Sequence, residues 1–499
     1  MSDAVRAGTS SAGIGHRTLA GTTRVLFAEC LVFPTGIVTI AFLTRQLGAE
    51  GYGIYSLAAA VVGWFEWTVA ALFARATIKL VGDREDWKPI ATRILQLNLV
   101  ISAIVTAALW VLAPAASAWL GEPLLERPIR LFALDIPLFT LAYVHRNILT
   151  GLGHFGLRAG AIAARWIARL FLIVALVSLG LSTTGAILGS LGASLVEFLI
   201  VRRYDRPRLF QRTHAPARPL YAYALPLFLF AVSARICQQI DLFALKALGS
   251  STAEAGFYAA AQNMSFVPGV VGVAFAPVLL SALARLLREG AVEHARRLGR
   301  DSLRLVLLLV PFAAMTAGAS EEIAQLVFGG SFRAAAPLLA ILIFPSVASV
   351  MMAIATTILT AAGKPIWPFA LVGPLVPLSI AGHLVAIPQW GALGAAGVTT
   401  AAGLLGAAAA LAAVYHLWRI LPPVSTLVRA AAISFVVYAA ALLWPTPGWL
   451  LILKLAMLSA VIPSTFWFLG ELDRRELELV RSLLLPSRRA RRGSGVPPP

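Results

Sequence analysis

The chain has 499 residues, of which 59% are hydrophobic and only 13% are charged, and its formal net charge is +18. A soluble domain carries about 25% charged residues, because polar side chains must cover its surface. This composition excludes the soluble classes of enzyme, nucleic-acid binder and secreted module. It predicts an all-α, polytopic membrane protein with about 14 transmembrane helices. The two cysteines, Cys30 and Cys237, exclude a disulfide scaffold and a cysteine-based zinc or redox pair.

Apolar runs that end at Gly, Pro or charge clusters define the predicted spans in chain order. These spans are 19–43, 53–73, 91–112, 129–150, 158–180, 183–203, 221–246, 256–284, 301–320, 336–361, 367–388, 391–417, 428–444 and 449–470. If the N-terminus is cytoplasmic and the spans alternate in direction, most of the 41 Lys and Arg residues fall on the cytoplasmic side. The residues that would face outside are Arg45, Arg127, Arg130, Lys246, Arg333 and Lys454. This bias predicts cytoplasmic N- and C-termini, and it relates the positive charge to topology and anionic lipid rather than to nucleic acid.

Two similarities between distant segments indicate an internal duplication. The segment 43–59 resembles 245–261, and the segment 148–154 resembles 358–364 at nearly the same offset. The matched residues include Leu47-Gly48 with Leu248-Gly249, Arg45 with Lys246, and Tyr55 with Tyr258. Because a repeat of six spans is even, both copies enter the membrane from the same side. The sequence therefore predicts two parallel six-helix lobes, followed by two C-terminal helices, with a cargo site between the lobes.

The predicted domains follow from this duplication. They are a cytoplasmic N-terminal tail (1–18), an N-lobe with spans 1–6 (19–205), a basic cytoplasmic linker (206–219), a C-lobe with spans 7–12 (220–420), spans 13–14 (428–470) and a basic cytoplasmic tail (471–499).

Motifs for catalysis and metal binding are missing from the sequence. Gly363-Lys364 is followed by Pro365 rather than by the Ser or Thr of a phosphate-binding loop. The 7 His residues are scattered and form no metal-binding motif with Glu. We therefore expect no enzymatic activity, no cofactor and no metal site.

Ionisable and amide side chains inside the predicted spans are the candidate site residues. An ionised group at mid-membrane costs roughly 2.5–3.5 kcal/mol, so such groups usually face a bundle interior or a wet cavity. The candidates for binding an anionic cargo are Arg24, Arg165, Arg169, Arg235, Gln238 and Gln239. The candidates for ion coupling or for salt bridges are Glu29, Glu66, Asp135 and Asp241.

Span 5 carries a row of cationic residues. Arg158, Arg165 and Arg169 share one helix face, which predicts a cationic ladder leading inward from the cytoplasmic end. One alternative is that these arginines pair with Glu66, Asp135 or Glu197 and only hold helices together. Glu197 lies near the cytoplasmic end beside two arginines, which favours a structural role for it.

The run 43–56, Leu-Thr-Arg-Gln-Leu-Gly-Ala-Glu-Gly-Tyr-Gly-Ile-Tyr-Ser, resembles the signature of the polysaccharide transporter or oligosaccharide flippase family. That family belongs to the multidrug/oligosaccharidyl-lipid/polysaccharide exporter superfamily, which also contains the multidrug and toxin extrusion transporters. Three further stretches fit the family in order and spacing: 239–258, 327–338 and 359–364. Together with the spans, they extend the resemblance over nearly the whole chain.

The resemblance implies export of a polyprenyl-diphosphate-linked oligosaccharide across the bacterial inner membrane by alternating access, for surface polysaccharide synthesis. It implies membrane lipids and the lipid-linked glycan as partners, with a glycan polymerase and glycosyltransferases as further candidates. The main alternative is a proton- or sodium-coupled drug/cation antiporter of the related extrusion type, with Glu29 and Asp241 as ion sites. A membrane-embedded glycan polymerase or ligase is disfavoured, because no predicted external loop is long.

Overall fold

The fold is that of a computed structural model that describes residues 31–204, 207, 239–364, 367–446 and 448–471. Every regular element in these ranges is helical. Eight of the helical segments there are long and apolar enough to cross a membrane. The chain is therefore an all-α, polytopic membrane protein, as its composition predicted. The tails 1–18 and 472–499 and the linker 208–219, for which the sequence made separate predictions, lie outside the described residues.

The first half of the chain forms six helices. They are α1 (Val32–Gly82), α2 (Lys88–Trp119), α3 (Glu126–Ala133), α4 (Asp135–Gly151), α5 (Phe155–Leu176) and α6 (Ser182–Tyr204). A short 3-10 turn at Pro123–Leu125 precedes α3, and a π-helical turn at Val177–Leu181 joins α5 to α6.

The described part of the second half continues with helix α7 (239–247). The helices after it are α8 (Thr252–Ser265), α9 (Gly269–Arg288), α10 (Val292–Leu307), α11 (Val310–Gly318), α12 (Ser320–Phe328), α13 (Ala335–Ala361), α14 (Trp367–Val372), α15 (Leu375–Trp418), α16 (Val424–Leu443) and α17 (Leu450–Phe468). A 3-10 turn at Gly330–Phe332 separates α12 from α13.

Three glycines divide the longest helical segments. Gly48, Gly180 and Gly391 have φ values of 66°, 88° and 54°, which glycine adopts without the steric cost of a side chain. Gly48 lies between two spans that the sequence predicted as separate, Gly180 is the last residue of the predicted span 158–180, and Gly391 is the first residue of the predicted span 391–417. A Cβ atom on Gly382 would lie 2.8 Å from Val398 Cγ1, so the two arms of α15 on either side of Gly391 pack against each other. Each of these long helical segments is therefore two helices joined by a tight turn.

Helices α1–α6 pack mainly on one another, and α8–α15 also pack mainly on one another, except that α11 packs mainly on α16. The main contact between the two groups is made by α1 and α8. A Cβ on Gly53 would collide with the carbonyl oxygen of Thr252, and a Cβ on Gly256 would collide with that of Ala49. Thr252 follows Ala49, and Gly256 follows Gly53, by the same interval of 203 residues. The contact is therefore reciprocal, as a two-fold axis between duplicated halves produces.

The last two helices are fixed to α10–α12 by buried ion pairs near both ends. The Lys454 ammonium lies 2.6 Å from Glu322 and also donates to the carbonyl oxygens of Ala441 and Trp444. Glu471, which follows α17, pairs with Arg304 at 3.1 Å and with Arg429 at 2.6 Å. These bonds satisfy charges that would otherwise be costly in an apolar environment.

The crossing of α1 and α8 predicts a large difference between two glycines of one helix. Gly53→Ala places a methyl group against the Thr252 backbone and should cost about 1–3 kcal/mol as overpacking. Gly63→Ala is the matched control, because nothing lies within 4 Å of the added carbon, and it should be neutral or stabilising by roughly 0.5–1 kcal/mol. Thermal unfolding in detergent measures both. Equal melting temperatures would contradict the close contact.

Candidate functional site

A cavity of about 370 Å³ lies between the two helix groups. Its walls come from both arms of α1, from α5, α7 and α8, and from residues just after α8. The polar residues in its wall are Thr39, Tyr52, Tyr55, Ser56, Arg169, Gln239, Gln262 and Asn263. Among the described lining residues, Arg169 is the only one that carries a charge. The cavity is therefore a mostly apolar and aromatic space with one cation in its wall.

Two aromatic side chains hold the Arg169 guanidinium at the cavity wall. Its Nη2 donates a hydrogen bond of 2.9 Å to the Tyr55 hydroxyl, and its centre lies 5.4 Å from the Trp166 ring. The cation–π contact adds to the hydrogen bond, and both fix the plane of the guanidinium. Because arginine carries five N–H donors in a planar fork, a guanidinium placed this way can bind an oxyanion through parallel hydrogen bonds.

Arg165 lies inside the helix bundle and pairs with a carboxylate. Glu197 is completely buried, with Arg146 Nε 3.0 Å from one of its oxygens and Arg165 Nε 3.4 Å from the other. The Arg165 guanidinium also stacks 4.5 Å from the Phe139 ring centre. These contacts join α4, α5 and α6. The structural role predicted for Glu197 is consistent with this geometry.

The predicted ladder on α5 therefore divides into three environments. Arg169 lines the cavity, Arg165 pairs with Glu197, and Arg158 donates a 3.1 Å hydrogen bond to the Thr150 hydroxyl. The three arginines share one face of α5, but two of them, Arg158 and Arg165, are bound by residues of neighbouring helices.

Glu66 of α1 and Asp135 of α4 are two further acids inside the first helix group. Both are buried, with 7% and 1% of their surface exposed, and they interact electrostatically with each other. Arg165 and Arg169 are the cations that act on both acids. Neither acid lines the cavity itself.

Asp241 of α7 is surrounded by neutral donors. One of its oxygens accepts from Tyr258 and Gln262, each at 2.8 Å, and from Thr399 at 3.3 Å, and the other accepts from the Leu242 amide at 2.8 Å. Gln239 lines the cavity on the same helix. Asp241 therefore orients the side chain of Gln262 at the cavity wall.

Four other candidates from the sequence, Arg24, Glu29, Arg235 and Gln238, lie outside the described residues. Within the described ranges, no group of three or more His, Cys, Asp or Glu side chains is placed to hold a metal ion.

The structure adds site residues that the sequence pattern did not indicate. Tyr55 and Trp166 position Arg169, and Asn263 lines the opposite wall. Tyr55 belongs to the repeated segment, where it matches Tyr258, so a signal for it was present. Trp166 and Asn263 carry no comparable signal, because an aromatic or amide residue in a span is usually a packing residue.

The end of the molecule at which α1 turns at Gly48, here called the Gly48 end, is closed by polar bridges between the helix groups. Lys246 lies 3.5 Å from Glu122 and donates to Thr252 at 3.0 Å, and Thr252 in turn donates to Glu122. On the other side of the crossing, Arg45 donates to the Leu326 carbonyl at 2.5 Å. Arg45 and Lys246 each lie near the end of a helix in one half of the chain, and each contacts a residue of the other half.

The charge of Lys246 affects the ionisation of Glu122. Burial alone would raise the pKa of Glu122, but the hydrogen bond from Thr252 and the charge of Lys246 hold that pKa below its usual value. An acid with a lowered pKa stabilises the folded protein above its unperturbed pKa of about 4.3, and this contribution is lost as the pH falls.

Removal of Glu197 tests the buried ion pairs. Glu197→Ala leaves two buried guanidinium groups without their carboxylate and should cost roughly 3–5 kcal/mol, so the yield of folded protein should fall sharply. Glu293→Ala removes an exposed partner of Arg296 and should cost less than about 1 kcal/mol. Membrane yield and melting temperature measure both variants. An unchanged yield for Glu197→Ala would show that the cluster does not hold the helices.

The bridge at the Gly48 end predicts a pH-dependent coupling energy. A double-mutant cycle with Glu122→Gln and Lys246→Met should give a coupling of roughly 0.5–3 kcal/mol at neutral pH, measured by thermal unfolding. Because the pKa of Glu122 is lowered, the coupling should disappear only in acid, once Glu122 takes up a proton. Additive effects of the two substitutions at neutral pH would contradict the bridge.

Comparison with known proteins shows the family of the chain. The family described as "Polysaccharide biosynthesis protein" matches residues 18–286, which is more than half of the chain. No curated protein matches the chain by sequence. Among solved structures, the lipid II flippase MurJ in an inward closed conformation has a TM-score of 0.68 at 15% identity, covering 91% of this chain and 98% of that chain.

Two MATE transporters are also similar in fold. An inward-facing multidrug resistance MATE family transporter of the MOP superfamily has a TM-score of 0.61 at 16% identity, covering 80% of this chain and 95% of that chain. A mutant of the Vibrio cholerae MATE transporter VcmN has a TM-score of 0.57 at 16% identity, covering 82% and 98%. At these identities the likeness shows the fold. The chain therefore has the fold of the MOP superfamily transporters and belongs to the polysaccharide biosynthesis protein family.

Proposed function

We propose that the protein exports a polyprenyl-diphosphate-linked oligosaccharide across the bacterial inner membrane, for surface polysaccharide synthesis. The observation that carries this proposal is Arg169, the one charged residue among the described residues that line the cavity. In a member of a polysaccharide biosynthesis family, a cation at such a place suits a diphosphate with sugars attached. The cavity, at about 370 Å³, falls within the roughly 300–1,000 Å³ of ordinary ligand sites, so the lipid tail would remain in the bilayer.

The wall opposite Arg169 suits the hydroxyl groups of sugars. The Gln262 amide nitrogen donates to Asp241, and the Asn263 amide nitrogen donates to the Ala259 carbonyl at 2.9 Å. The carbonyl oxygens of both amides are then the groups that accept hydrogen bonds from a bound molecule. Sugar hydroxyls donate hydrogen bonds, and aromatic residues such as Tyr52 and Trp166 offer apolar faces for sugar rings.

Alternating access explains the reciprocal contact at the Gly48 end. In this proposal the N-lobe (19–205) and the C-lobe (220–420) move relative to each other, the crossing of α1 and α8 closes the cavity at the Gly48 end, and the Gly48 end faces the outside. Release of the cargo would then require separation of Lys246 from Glu122 and of Arg45 from the Leu326 carbonyl. Both termini are cytoplasmic in this orientation.

The drug/cation antiporter has less support from the cavity. Such a protein needs an acid that faces an apolar or aromatic pocket and remains available to a cation. In the described part of the wall the charged residue is an arginine, and Asp241 accepts hydrogen bonds from four groups. An anionic cargo therefore agrees better with the charges at this site.

Substitution of Arg169 tests the proposed cargo. Arg169→Ala should reduce glycan export per folded molecule by roughly 10- to 100-fold, because a charge-assisted hydrogen bond contributes about 1.5–3 kcal/mol. Arg169→Lys keeps the charge but loses the planar fork, so it should retain partial export. Arg300→Ala, at an exposed position of α10, should export normally. Each variant would replace the chromosomal copy, and mass spectrometry would quantify lipid-linked glycan retained in the cell.

The same strains separate the flippase from the antiporter. Accumulation of lipid-linked glycan in the Arg169→Ala strain, with normal amounts of protein in the membrane, supports the proposal. Normal surface polysaccharide in a deletion strain, together with raised sensitivity to cationic dyes, would contradict the flippase and favour the antiporter.

A further inference from the structure

A second cavity, an open groove of about 410 Å³, lies between α2 and the start of α4. Helix α2 is long and apolar enough to cross a membrane. Its residues Ala103, Ala107, Trp110 and Val111 line the groove, and all four are exposed. The two alanines lie one turn apart and leave the space beside the helix open. The groove is therefore an apolar surface that membrane lipid would cover.

A proline in α2 places a cation at one end of this groove. Pro114 has no N–H group to donate to the carbonyl of Trp110, which lies four residues earlier in the helix. Arg130 Nε of α3 donates to that carbonyl at 3.2 Å. The Trp110 indole N–H donates in return to the Arg130 carbonyl at 3.0 Å. The guanidinium is therefore fixed beside Trp110 by backbone groups.

Pro137, in the first turn of α4, has the same effect at the base of the groove. It has no N–H group for the Ala133 carbonyl at the end of α3, and the Thr106 hydroxyl donates to that carbonyl at 3.3 Å. Thr106 and Pro137 both line the groove. The freed polar groups are thus satisfied by hydrogen bonds across the groove, and its surface remains apolar.

Arg130 and Glu126 form an ion pair that is partly exposed. Arg130 Nη1 lies 2.6 Å from Glu126 Oε1, and 34% and 35% of the two side chains remain exposed. The guanidinium centre also lies 5.2 Å from the centre of the Trp110 ring. Among the described residues, none accepts a hydrogen bond from Arg130 Nη2. The pair therefore presents N–H donors and a carboxylate side by side at the end of an apolar groove.

The depth of this pair along α2 is that of a lipid headgroup. Arg93 is the last charged residue of α2, and the helix rises about 25 Å from Arg93 to Trp110 at 1.5 Å per residue. The hydrocarbon core of a bilayer is about 30 Å thick, and Trp residues are enriched at its boundaries. With Arg93 near one boundary, Trp110 and Arg130 lie near the other. The groove continues from there towards the centre of the bilayer, where acyl chains lie.

We propose that this groove binds one molecule of phosphatidylethanolamine, with an acyl chain along α2 and the headgroup at the Arg130–Glu126 pair. The phosphate would accept hydrogen bonds from the Arg130 guanidinium. The ammonium group would lie against the Glu126 carboxylate, which would repel a headgroup that carries only negative charge. This inference goes beyond the proposed function and does not rest on it, because the groove is separate from the cavity that Arg169 lines.

Native mass spectrometry of the full-length protein tests the groove. Titration with phosphatidylethanolamine gives the dissociation constant of the first bound lipid. Ala107→Phe fills the groove and should weaken this binding by at least tenfold. Ala108→Phe is the matched control, because Ala108 is exposed on the same helix but does not line the groove, and its affinity should equal that of wild type.

Two substitutions test the headgroup. Arg130→Gln can still donate to the Trp110 carbonyl but loses the charge, so it should weaken binding by roughly tenfold. Arg127→Gln, at an exposed neighbour, is its control and should bind like wild type. Glu126→Gln loses the negative charge and should remove the preference for phosphatidylethanolamine over phosphatidylglycerol with the same acyl chains. Glu85→Gln, at an exposed acid before α2, should keep that preference.

The results separate the groove from the headgroup. Equal affinities for wild type, Ala107→Phe and Ala108→Phe would overturn the proposal, and so would an unchanged affinity of Arg130→Gln. Binding of phosphatidylglycerol by wild type at least as tight as that of phosphatidylethanolamine would overturn the assigned headgroup. Because no glycan is present in these titrations, failure of this proposal is distinguishable from failure of the proposed export function.

Discussion

The complete burial of Glu197 between two arginines is the interaction on which the first half of the molecule depends. An ionised carboxylate inside a helix bundle is tolerated only with partners, because desolvation costs several kcal/mol for each ion. By binding Arg146 and Arg165 together, Glu197 fixes the relative rotation of α4, α5 and α6. Arg169 lies one helical turn beyond Arg165 on α5, so the same constraint brings its guanidinium to the cavity wall. The position of the Arg169 charge at the cavity wall thus depends on ion pairs that Glu197 forms outside the cavity.

The two halves of the chain use one backbone arrangement for opposite chemistry. Tyr55 and Tyr258 occupy matching positions in the repeated segments, 203 residues apart like the reciprocal contacts at Gly53 and Gly256. In the first half the tyrosine hydroxyl accepts a hydrogen bond from a cation, Arg169, and in the second half it donates one to an anion, Asp241. The two segments share the geometry of the crossing, but the residues around each tyrosine differ, and only the partner of Tyr55 lines the cavity among the described residues.

Hydropathy and glycine positions were sufficient to predict most of the fold. The helical class, the separate arms on either side of Gly48, Gly180 and Gly391, and the crowding of ionisable groups in the first half follow from local sequence. The residues that pair with those ionisable groups do not follow from local sequence. A shared face on α5 shows which arginines align, but it contains no information about the neighbouring helices. Whether Arg165 meets Glu197 or a cavity depends on the rotation of α6 and on the depth of Glu197, and both are set by packing across the bundle. The sequence is compatible with both possibilities, and the structure assigns one to Arg165 and the other to Arg169.

The balance of buried charge also bears on why the acids are present at all. Glu66 and Asp135 do not line the cavity, and a bundle with fewer acids would leave Arg165 and Arg169 with a larger net positive charge in an apolar environment. Complete neutralisation would remove that cost, but it would also remove the attraction for an anion. The buried acids can therefore reduce the cost of keeping the arginines in the membrane and still leave Arg169 able to bind an anion.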